Sequence, residues 1–229
     1  MRVVVPFDPE TPNERLSSLF SLAERREFAA AMLGDVLAAV RGAGGRPEVL
    51  AAAPLADTPA AAAVGDAPVV VDDRPLSEAV NAALADGLPA AVVMADLALA
   101  TPDALAALFE REGDVVLARG RGGGTNAVVV RHPGFRVDYH GVSFRDHVAA
   151  AERVGATVAT VDSFRLGVDV DDEADVLDVL VHGADAADQR AAAGRANGAT
   201  AGSAAAGWLA DAGVRVDVVG GEPTVVRDE

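Results

Sequence analysis

Acidic side chains that follow apolar segments are the first residues in this chain that could do chemistry. Asp96 comes directly after the apolar run of VVMAD, and Asp169 and Asp171 alternate in VDVD, so an extended backbone would point both of them to one face. Such carboxylates suit Mg²⁺, which binds one or two protein carboxylates together with substrate phosphates. The alternative is a structural role as turn or helix-capping residues, and a chain this acidic contains many such clusters.

Three other features could bind phosphate. Arg15 lies in a long loop after the first predicted strand, where its guanidinium could clamp phosphate oxygens in a fork. The glycines of GRGGGTN leave backbone N–H groups open to an anion. Ser143 stands at a predicted helix start and would add the positive end of a helix dipole. A solvated loop, a flexible turn and a plain helix cap remain the structural alternatives.

Several kinds of site are excluded or lack support. The chain has no cysteine, which excludes disulfides, thiolate metal sites and a thiol nucleophile. Neither a Walker motif nor G-x-G-x-x-G follows a predicted strand, and G-x-S-x-G is missing. The histidines show neither metal-ligand spacing nor a recognisable partner nucleophile: His132, His140, His147 and His182.

Strands and helices alternate along the first four fifths of the chain. Strands are predicted at 2–5, 47–53, 68–71, 90–94, 114–118, 126–130 and 157–161. Helices are predicted from a capping box at Ser21 to about Arg41, at 57–64 and 76–85, after Thr101, at 143–154 with Ser143 as cap, and at 173–181. This order predicts an α/β fold with a mostly parallel sheet and helices on both faces.

The composition changes after about residue 185. Residues 1–185 are predicted to form the main domain, 186–207 an Ala/Gly-rich linker that could be partly helical, and 208–229 an appendage with a β-hairpin. In an open α/β sheet, ligands bind beyond the carboxyl ends of the strands. That rule brings Asp96, Asp169 and the phosphate-binding candidates to one edge of the main domain.

The charge and hydropathy of the chain limit its partners and its location. The formal net charge is −16, and all the basic residues are arginine, so the basic footprint that nucleic-acid binding needs is missing. Acid excess, abundant alanine and the lack of lysine together favour a salt-loving source. No apolar run approaches the roughly 20 residues that span a bilayer, and the start MRVVVPFDPE does not fit a signal peptide. We therefore expect a cytoplasmic protein that binds neither membrane nor nucleic acid.

The motifs in their order resemble the 2-phospho-L-lactate guanylyltransferase family, which makes the 8-hydroxy-5-deazaflavin coenzyme. The resemblance rests on VVVPF followed by RLS, SLAERREFAAAMLGDVL, VVMADLAL, GRGGGTN, FRVDYHGVSFRDHV and DSFRLGVDVDDEADV, and it runs from residue 1 to about 183, leaving the tail outside. It implies a nucleotide-diphospho-sugar transferase fold of the GT-A-like kind. It also implies transfer of GMP from GTP to 2-phospho-L-lactate or phosphoenolpyruvate, release of pyrophosphate, and a homodimer.

The resemblance also implies roles for individual residues. Asp96 and Asp169 match catalytic carboxylates that hold Mg²⁺, with Asp171 as a further metal ligand; Thr125, Gly141 and Ser143 match acceptor-binding residues; Arg15 and Ser77 match nucleotide-binding ones. Asp8 and Asn13 stand where the family usually has lysine, which weakens a triphosphate clamp. Two alternatives therefore stay open: a catalytically impaired nucleotide-binding relative, and another nucleotidyltransferase or glycosyltransferase on the same fold.

Overall fold

A mixed sheet forms the centre of the molecule. The computed structural model describes residues 1–197 and 204–228, and within these ranges seven strands form one sheet in the order β3-β2-β1-β4-β6-β5-β7. Only β6 runs antiparallel to its neighbours β4 and β5, so the prediction of a mostly parallel sheet is confirmed. The strands are β1 (Arg2–Phe7), β2 (Arg46–Ala51), β3 (Val69–Val71), β4 (Ala90–Val93), β5 (Val115–Arg119), β6 (Thr125–Val130) and β7 (Val158–Val161).

The predicted helices begin within three residues of the expected positions, but the last of them runs past its expected end at residue 181, and the helix at 164–167 was not predicted. Ser21 and Glu24 form the expected capping box, with the Ser21 backbone N–H donating to the Glu24 carboxylate at 2.8 Å. A 3₁₀ turn (Glu14–Ser18) precedes it. The helices are α1 (Leu22–Gly42), α2 (Ala60–Ala63), α3 (Leu76–Ala85), α4 (Pro102–Glu110), α5 (Ser143–Arg153), α6 (Phe164–Gly167), α7 (Glu173–Asn197) and α8 (Ala204–Asp211).

Helices cover both faces of the sheet, as the fold class requires. Val3 and Val5 of β1 face a core built with α1, α4, α7 and α8, whereas Val4 faces a second core built with α3 and α5. Strands buried on both faces appear as continuous apolar runs, which explains RVVV and AAVV in the sequence. The prediction that the first strand ends at residue 5 is wrong: β1 continues through Pro6 to Phe7, and its pairing with β4 ends at Val4, before the proline that lacks an N–H.

The C-terminal residues pack against the first helix. Helix α7 continues to Asn197 through part of the expected linker, residues 198–203 lie outside the described residues, and α8 follows from Ala204. Two further strands, β8 (Val214–Val219) and β9 (Glu222–Arg227), form the expected antiparallel hairpin. The Trp208 ring lies 5.1 Å from both Phe20 and Phe28, centroid to centroid. The division into domain, linker and appendage stays a prediction, but these contacts attach residues 204–228 to the main core.

Candidate functional site

Three aspartates meet at the carboxyl edge of the sheet. Asp96 follows β4, whereas Asp169 and Asp171 come from the extended segment between α6 and α7. The Val170 backbone N–H donates to the Asp96 carbonyl oxygen at 3.2 Å, which fixes the two segments side by side. The acidic group predicted from the sequence is thus assembled from segments more than seventy positions apart in the chain.

Burial and like charge act together on the Asp96 carboxyl. Its Oδ1 atom is shielded from solvent and has no hydrogen-bond partner in the described structure. Burial, followed by the charges of Asp169 and Asp171, raises its pKa to about 7. Burial and then Asp169 also raise the pKa of Asp171, while nearby Arg15 acts in the opposite direction. Arg15 therefore offsets only part of the negative charge of the three carboxylates.

This arrangement fits a divalent cation that is shared with a substrate. Among the described residues, no three His, Cys, Asp or Glu side chains converge closely enough to enclose a metal ion by themselves. Mg²⁺ is commonly held by only one or two carboxylates and completes its shell with phosphate oxygens and water. The unpartnered Asp96 Oδ1 beside Asp169 and Asp171 suits that mode of binding.

Asn126 orients Asp169. Its Nδ2 donates to Asp169 Oδ1 at 3.1 Å and to the Leu166 carbonyl oxygen at 3.0 Å. Gly120 makes room for this side chain, since an added Cβ there would lie 2.4 Å from Asn126 Oδ1. Gly120, the first glycine of GRGGGTN, thus serves packing around a polar side chain, and its own N–H donates to the Gly124 carbonyl oxygen at 2.9 Å within the turn between β5 and β6 rather than staying open to an anion.

A first cavity opens beside Asp96 at the ends of β1, β2 and β4. It measures about 370 Å³ and is lined by Asp96, Asp171, Asp72, Arg74, Asn13 and apolar residues that include Leu50 and Ala79. Arg74 forms an ion pair with Asp72, donating through Nε and Nη2, and the Nε to Oδ1 distance is 2.8 Å. The size, the apolar wall and the polar rim are typical of a pocket for a nucleotide or another drug-sized ligand.

The first loop closes one side of this cavity without lysine. Asn13 adopts a left-handed conformation with φ 49°, and its Nδ2 donates to the Val170 carbonyl oxygen at 2.6 Å. Arg15 is exposed, and its Nη1 lies 3.4 Å from Asp171 Oδ2. Ser77 does not line the cavity; its Oγ accepts the Tyr139 backbone N–H at 2.8 Å. The predicted nucleotide contacts of Arg15 and Ser77 stay predictions.

A second cavity lies at the ends of β5 and β7. It measures about 520 Å³ and is lined by the glycine loop and by Arg119, Arg121 and Arg145. Arg121 forms ion pairs with Asp175 and Asp178 of α7. Arg119 and Arg145 are exposed, and neither forms an ion pair within the described part of the chain. Positive charge is scarce in a chain of net charge −16, so its presence around this cavity favours an anionic ligand.

Thr125 and Ser143, the predicted acceptor ligands, are brought together beneath the glycine loop. The Thr125 backbone N–H donates to Ser143 Oγ at 3.0 Å, and both residues are buried. The expected role of Ser143 as a helix cap is wrong, because Val142 occupies the N-cap position and the serine hydroxyl is engaged with Thr125 instead. Gly141 lies in the preceding loop with φ 51°, a conformation that favours glycine.

His147 is a third member of this group that the sequence interpretation missed. It is fully buried, its Nδ1 lies 2.8 Å from Thr125 Oγ1, and its Nε2 accepts the Asp138 backbone N–H at 2.8 Å. Burial lowers the pKa of His147 to about 4, so the ring is neutral at physiological pH. The available signal was its position four residues after Ser143, one turn along the same helix face.

The chain matches one family model and a set of curated relatives. The model described as "Guanylyl transferase CofC like" matches residues 1–191. The chain belongs to the CofC-like guanylyltransferase family. It is 56% identical over 230 residues to the 2-phospho-L-lactate guanylyltransferase of Halobacterium salinarum, covering 100% of this chain and 99% of the relative. The corresponding protein of Halomicrobium mukohataei is 52% identical over 228 residues, covering 99% of this chain and 100% of the relative.

Membership of the CofC-like family confirms the resemblance and widens it. The family model ends at residue 191, close to the limit of about residue 183 that the motifs gave, whereas the two relatives named above align with the tail as well. Solved structures support the fold alone. A putative nucleotide-diphospho-sugar transferase from Desulfovibrio desulfuricans has a TM-score of 0.61 at 17% identity, covering 78% of this chain and 85% of that one. A hypothetical transferase from Thermus thermophilus has a TM-score of 0.51 at 18% identity, covering 77% and 100%.

Proposed function

We propose that this protein transfers GMP from GTP to 2-phospho-L-lactate and releases pyrophosphate, as a step in the biosynthesis of the 8-hydroxy-5-deazaflavin coenzyme. The observation that carries the proposal is the position of the aspartates relative to the cavities. Asp96 lines the first cavity. Gly167 lines the second cavity, and Asp169 comes two residues after Gly167 in the chain. The name of the curated relatives supplies the two substrates.

The reaction is a displacement at the α-phosphorus of GTP. A phosphate oxygen of the acceptor forms a bond to that phosphorus, and the bond from the α-phosphorus to the bridging oxygen of the β-phosphate breaks, so that pyrophosphate leaves with the bonding electrons. Little covalent work falls to the protein, because orientation and charge neutralisation dominate such transfers. The first cavity would hold GTP, and the second would hold the acceptor against Arg119 and Arg145.

Asp96 and Asp169 would hold Mg²⁺, with Asp171 beside them as a further ligand. When bound, the ion would neutralise the negative charge that develops on the phosphate oxygens. Asn126 would keep Asp169 in the required orientation through its 3.1 Å hydrogen bond. The unpartnered Oδ1 of Asp96 supports this assignment.

The missing lysines of the first loop favour an alternative, a nucleotide-binding relative with impaired catalysis. Asn13 attaches the loop to Val170 through a hydrogen bond, and the exposed Arg15 lies 3.4 Å from Asp171. Under the main proposal, Arg15 and Mg²⁺ together compensate for the two absent charges.

We further propose a homodimer in the cytoplasm without nucleic-acid or membrane partners. In the described residues, no helix is long and apolar enough to cross a membrane.

A matrix of substrates tests the proposal. The purified protein is incubated with Mg²⁺ and each of GTP, ATP, CTP and UTP, paired with 2-phospho-L-lactate, phosphoenolpyruvate or 3-phosphoglycerate, in low and in molar salt. Pyrophosphate release is measured, and the product is identified by mass. We expect release with GTP and 2-phospho-L-lactate above all other pairs.

The other outcomes are equally informative. Preference for phosphoenolpyruvate would keep the guanylyl transfer and change the acceptor. Release with CTP or UTP alone would indicate a different nucleotidyltransferase. GTP binding without release in any condition would favour the impaired relative and overturn the proposal.

A further inference from the structure

A buried hydrogen-bonded chain connects His147 to the two predicted acceptor ligands. The Asp138 backbone N–H can only donate, so His147 Nε2, at 2.8 Å, must accept and carries no proton. The proton of the neutral ring therefore lies on Nδ1, which donates to Thr125 Oγ1 at 2.8 Å. One backbone amide thus determines the tautomer of the histidine and the direction of the next hydrogen bond.

The same logic extends to Ser143. Its Oγ accepts the Thr125 backbone N–H at 3.0 Å, so the Thr125 and Ser143 hydroxyls each already accept one bond from a donor with a fixed direction. Within the described residues, neither hydroxyl proton has a hydrogen-bond acceptor. Both residues are nevertheless buried, with Thr125 only 3% and Ser143 only 5% exposed. Buried donors without an acceptor are unfavourable, which indicates that a ligand supplies the acceptor.

We propose that His147 is a positioning residue: it sets the Thr125 hydroxyl as a hydrogen-bond donor, beside the Ser143 hydroxyl that the Thr125 backbone N–H sets, for an oxyanion group of the acceptor, its phosphate or its carboxylate. The proposal rests on the proposed function, since it assigns the pair to the acceptor. Thr125 begins β6 and Ser143 begins α5, and they follow in the chain, by two residues and by one, Gly123 and Val142, which line the second cavity. His147 itself is fully buried and lines neither cavity.

A merely structural role for His147 is the competing explanation. Its ring packs edge-on against Tyr139 at 5.1 Å and against Phe135 at 6.0 Å, centroid to centroid. Loss of packing would lower stability and would raise the KM values for both substrates alike. Loss of the donor pair would raise the KM for the acceptor alone, because the first cavity, which would hold GTP, is lined by other residues.

The test uses five variants of the full chain, one of them a control. His147→Phe keeps an aromatic ring but removes both hydrogen bonds, whereas His147→Gln keeps one donor and one acceptor. Thr125→Val removes the hydroxyl, and Thr125→Val/His147→Phe completes a double-mutant cycle. Phe135→Leu is the control, because it disturbs the packing against His147 and leaves the hydrogen-bonded chain intact.

We expect His147→Phe to raise the KM for the acceptor by roughly 10- to 100-fold, as for lost hydrogen bonds to a charged group, and to leave the KM for GTP within about twofold. His147→Gln should recover most of the loss. In the double variant, His147→Phe should add nothing to the effect of Thr125→Val. Phe135→Leu should lower Tm without a selective effect on the acceptor. Nitrogen-15 NMR of labelled histidine should show the Nδ1–H tautomer.

Three results would overturn the proposal: an Nε2–H tautomer, additive effects in the cycle, or equal increases in both KM values. Calorimetric titration of the protein with 2-phospho-L-lactate and with phosphoenolpyruvate distinguishes failure of this proposal from failure of the proposed function. If the wild type binds these acceptors but releases no pyrophosphate, guanylyl transfer is refuted, while the affinity differences among the variants still decide the role of His147.

Discussion

At the residue scale, the site combines side chains of opposite electrostatic character. Asp96 and its neighbours repel one another, and the pKa of Asp96 is raised to about 7. Thr125, Ser143 and His147 form a neutral group of donors instead. Under the proposed function, the first group would hold a cation and the second would bind an anion, which is the pairing that phosphate transfer requires.

Asp96→Asn should lower turnover by at least about 100-fold, the scale of removing one electrostatic stabiliser. The amide is nearly isosteric but loses the charge that would hold Mg²⁺. Pyrophosphate release at saturating substrates measures the effect. Asp172→Asn is the matched control, because that exposed carboxylate caps α7 through backbone N–H groups, and an asparagine can do the same. Near-wild-type turnover of Asp96→Asn would refute its assignment as a metal ligand.

Without divalent cations, the same variant should be more stable than the wild type at high pH. Burial raises the folded-state pKa of Asp96 from 3.8 to about 7. The wild type therefore loses stability as pH rises through this window, because ionisation is easier in the unfolded chain. We expect a gain of up to about 4 kcal/mol for Asp96→Asn at pH 8, since the shift spans roughly three pKa units and one unit is worth about 1.4 kcal/mol, and a much smaller gain at pH 4. Thermal unfolding in EDTA at both pH values measures it, and a pH-independent difference would contradict it.

At the element scale, one buried carboxylate joins the first and the last helix. Asp35 of α1 accepts the backbone N–H groups of Ala204 and Ala205, each at 3.0 Å, and is 1% exposed. These groups belong to the first turn of α8, which has no partner for them within its own helix. The contact explains how a helix after an alanine-rich stretch is held against the main core.

Asp35→Ala should therefore destabilise the protein by about 2–3 kcal/mol, the range for buried donors left without a partner. Urea unfolding measures the loss, and limited proteolysis should show earlier cleavage near residue 204. Asp211→Ala is the control, because Asp211 is an exposed residue at the end of α8. Equal stability of the two variants would show that Asp35 does not anchor the tail.

At the scale of the whole molecule, net charge is the dominant feature. The chain carries −16 at neutral pH, and the curated relatives reported above come from haloarchaea. Like charges at this density destabilise the compact state when they are not screened. Salt shortens the Debye length from about 10 Å at 0.1 M to about 3 Å at 1 M, which weakens this repulsion.

Raising KCl from about 0.1 M to 2 M should therefore increase Tm at neutral pH by at least about 5 °C, equivalent to a gain of 1–3 kcal/mol for a chain of this length. Differential scanning calorimetry measures the change. Near pH 4.5, the sequence pI, the increase should shrink because little net charge remains to be screened. An equal increase at both pH values would assign the effect to general salting-out.

The sequence by itself determined the alternation of strands and helices, the acidic positions and the family. Apolar runs such as RVVV and caps such as Ser21 act locally, so they can be recognised along the chain. Only the tertiary structure decided which residues meet. Val170 bonds to Asp96, Asn126 orients Asp169, and His147 fixes Thr125, and each of these contacts joins different elements of the chain. The physical reason is that hydrogen-bond directions and burial depend on packing between elements, which local spacing does not specify.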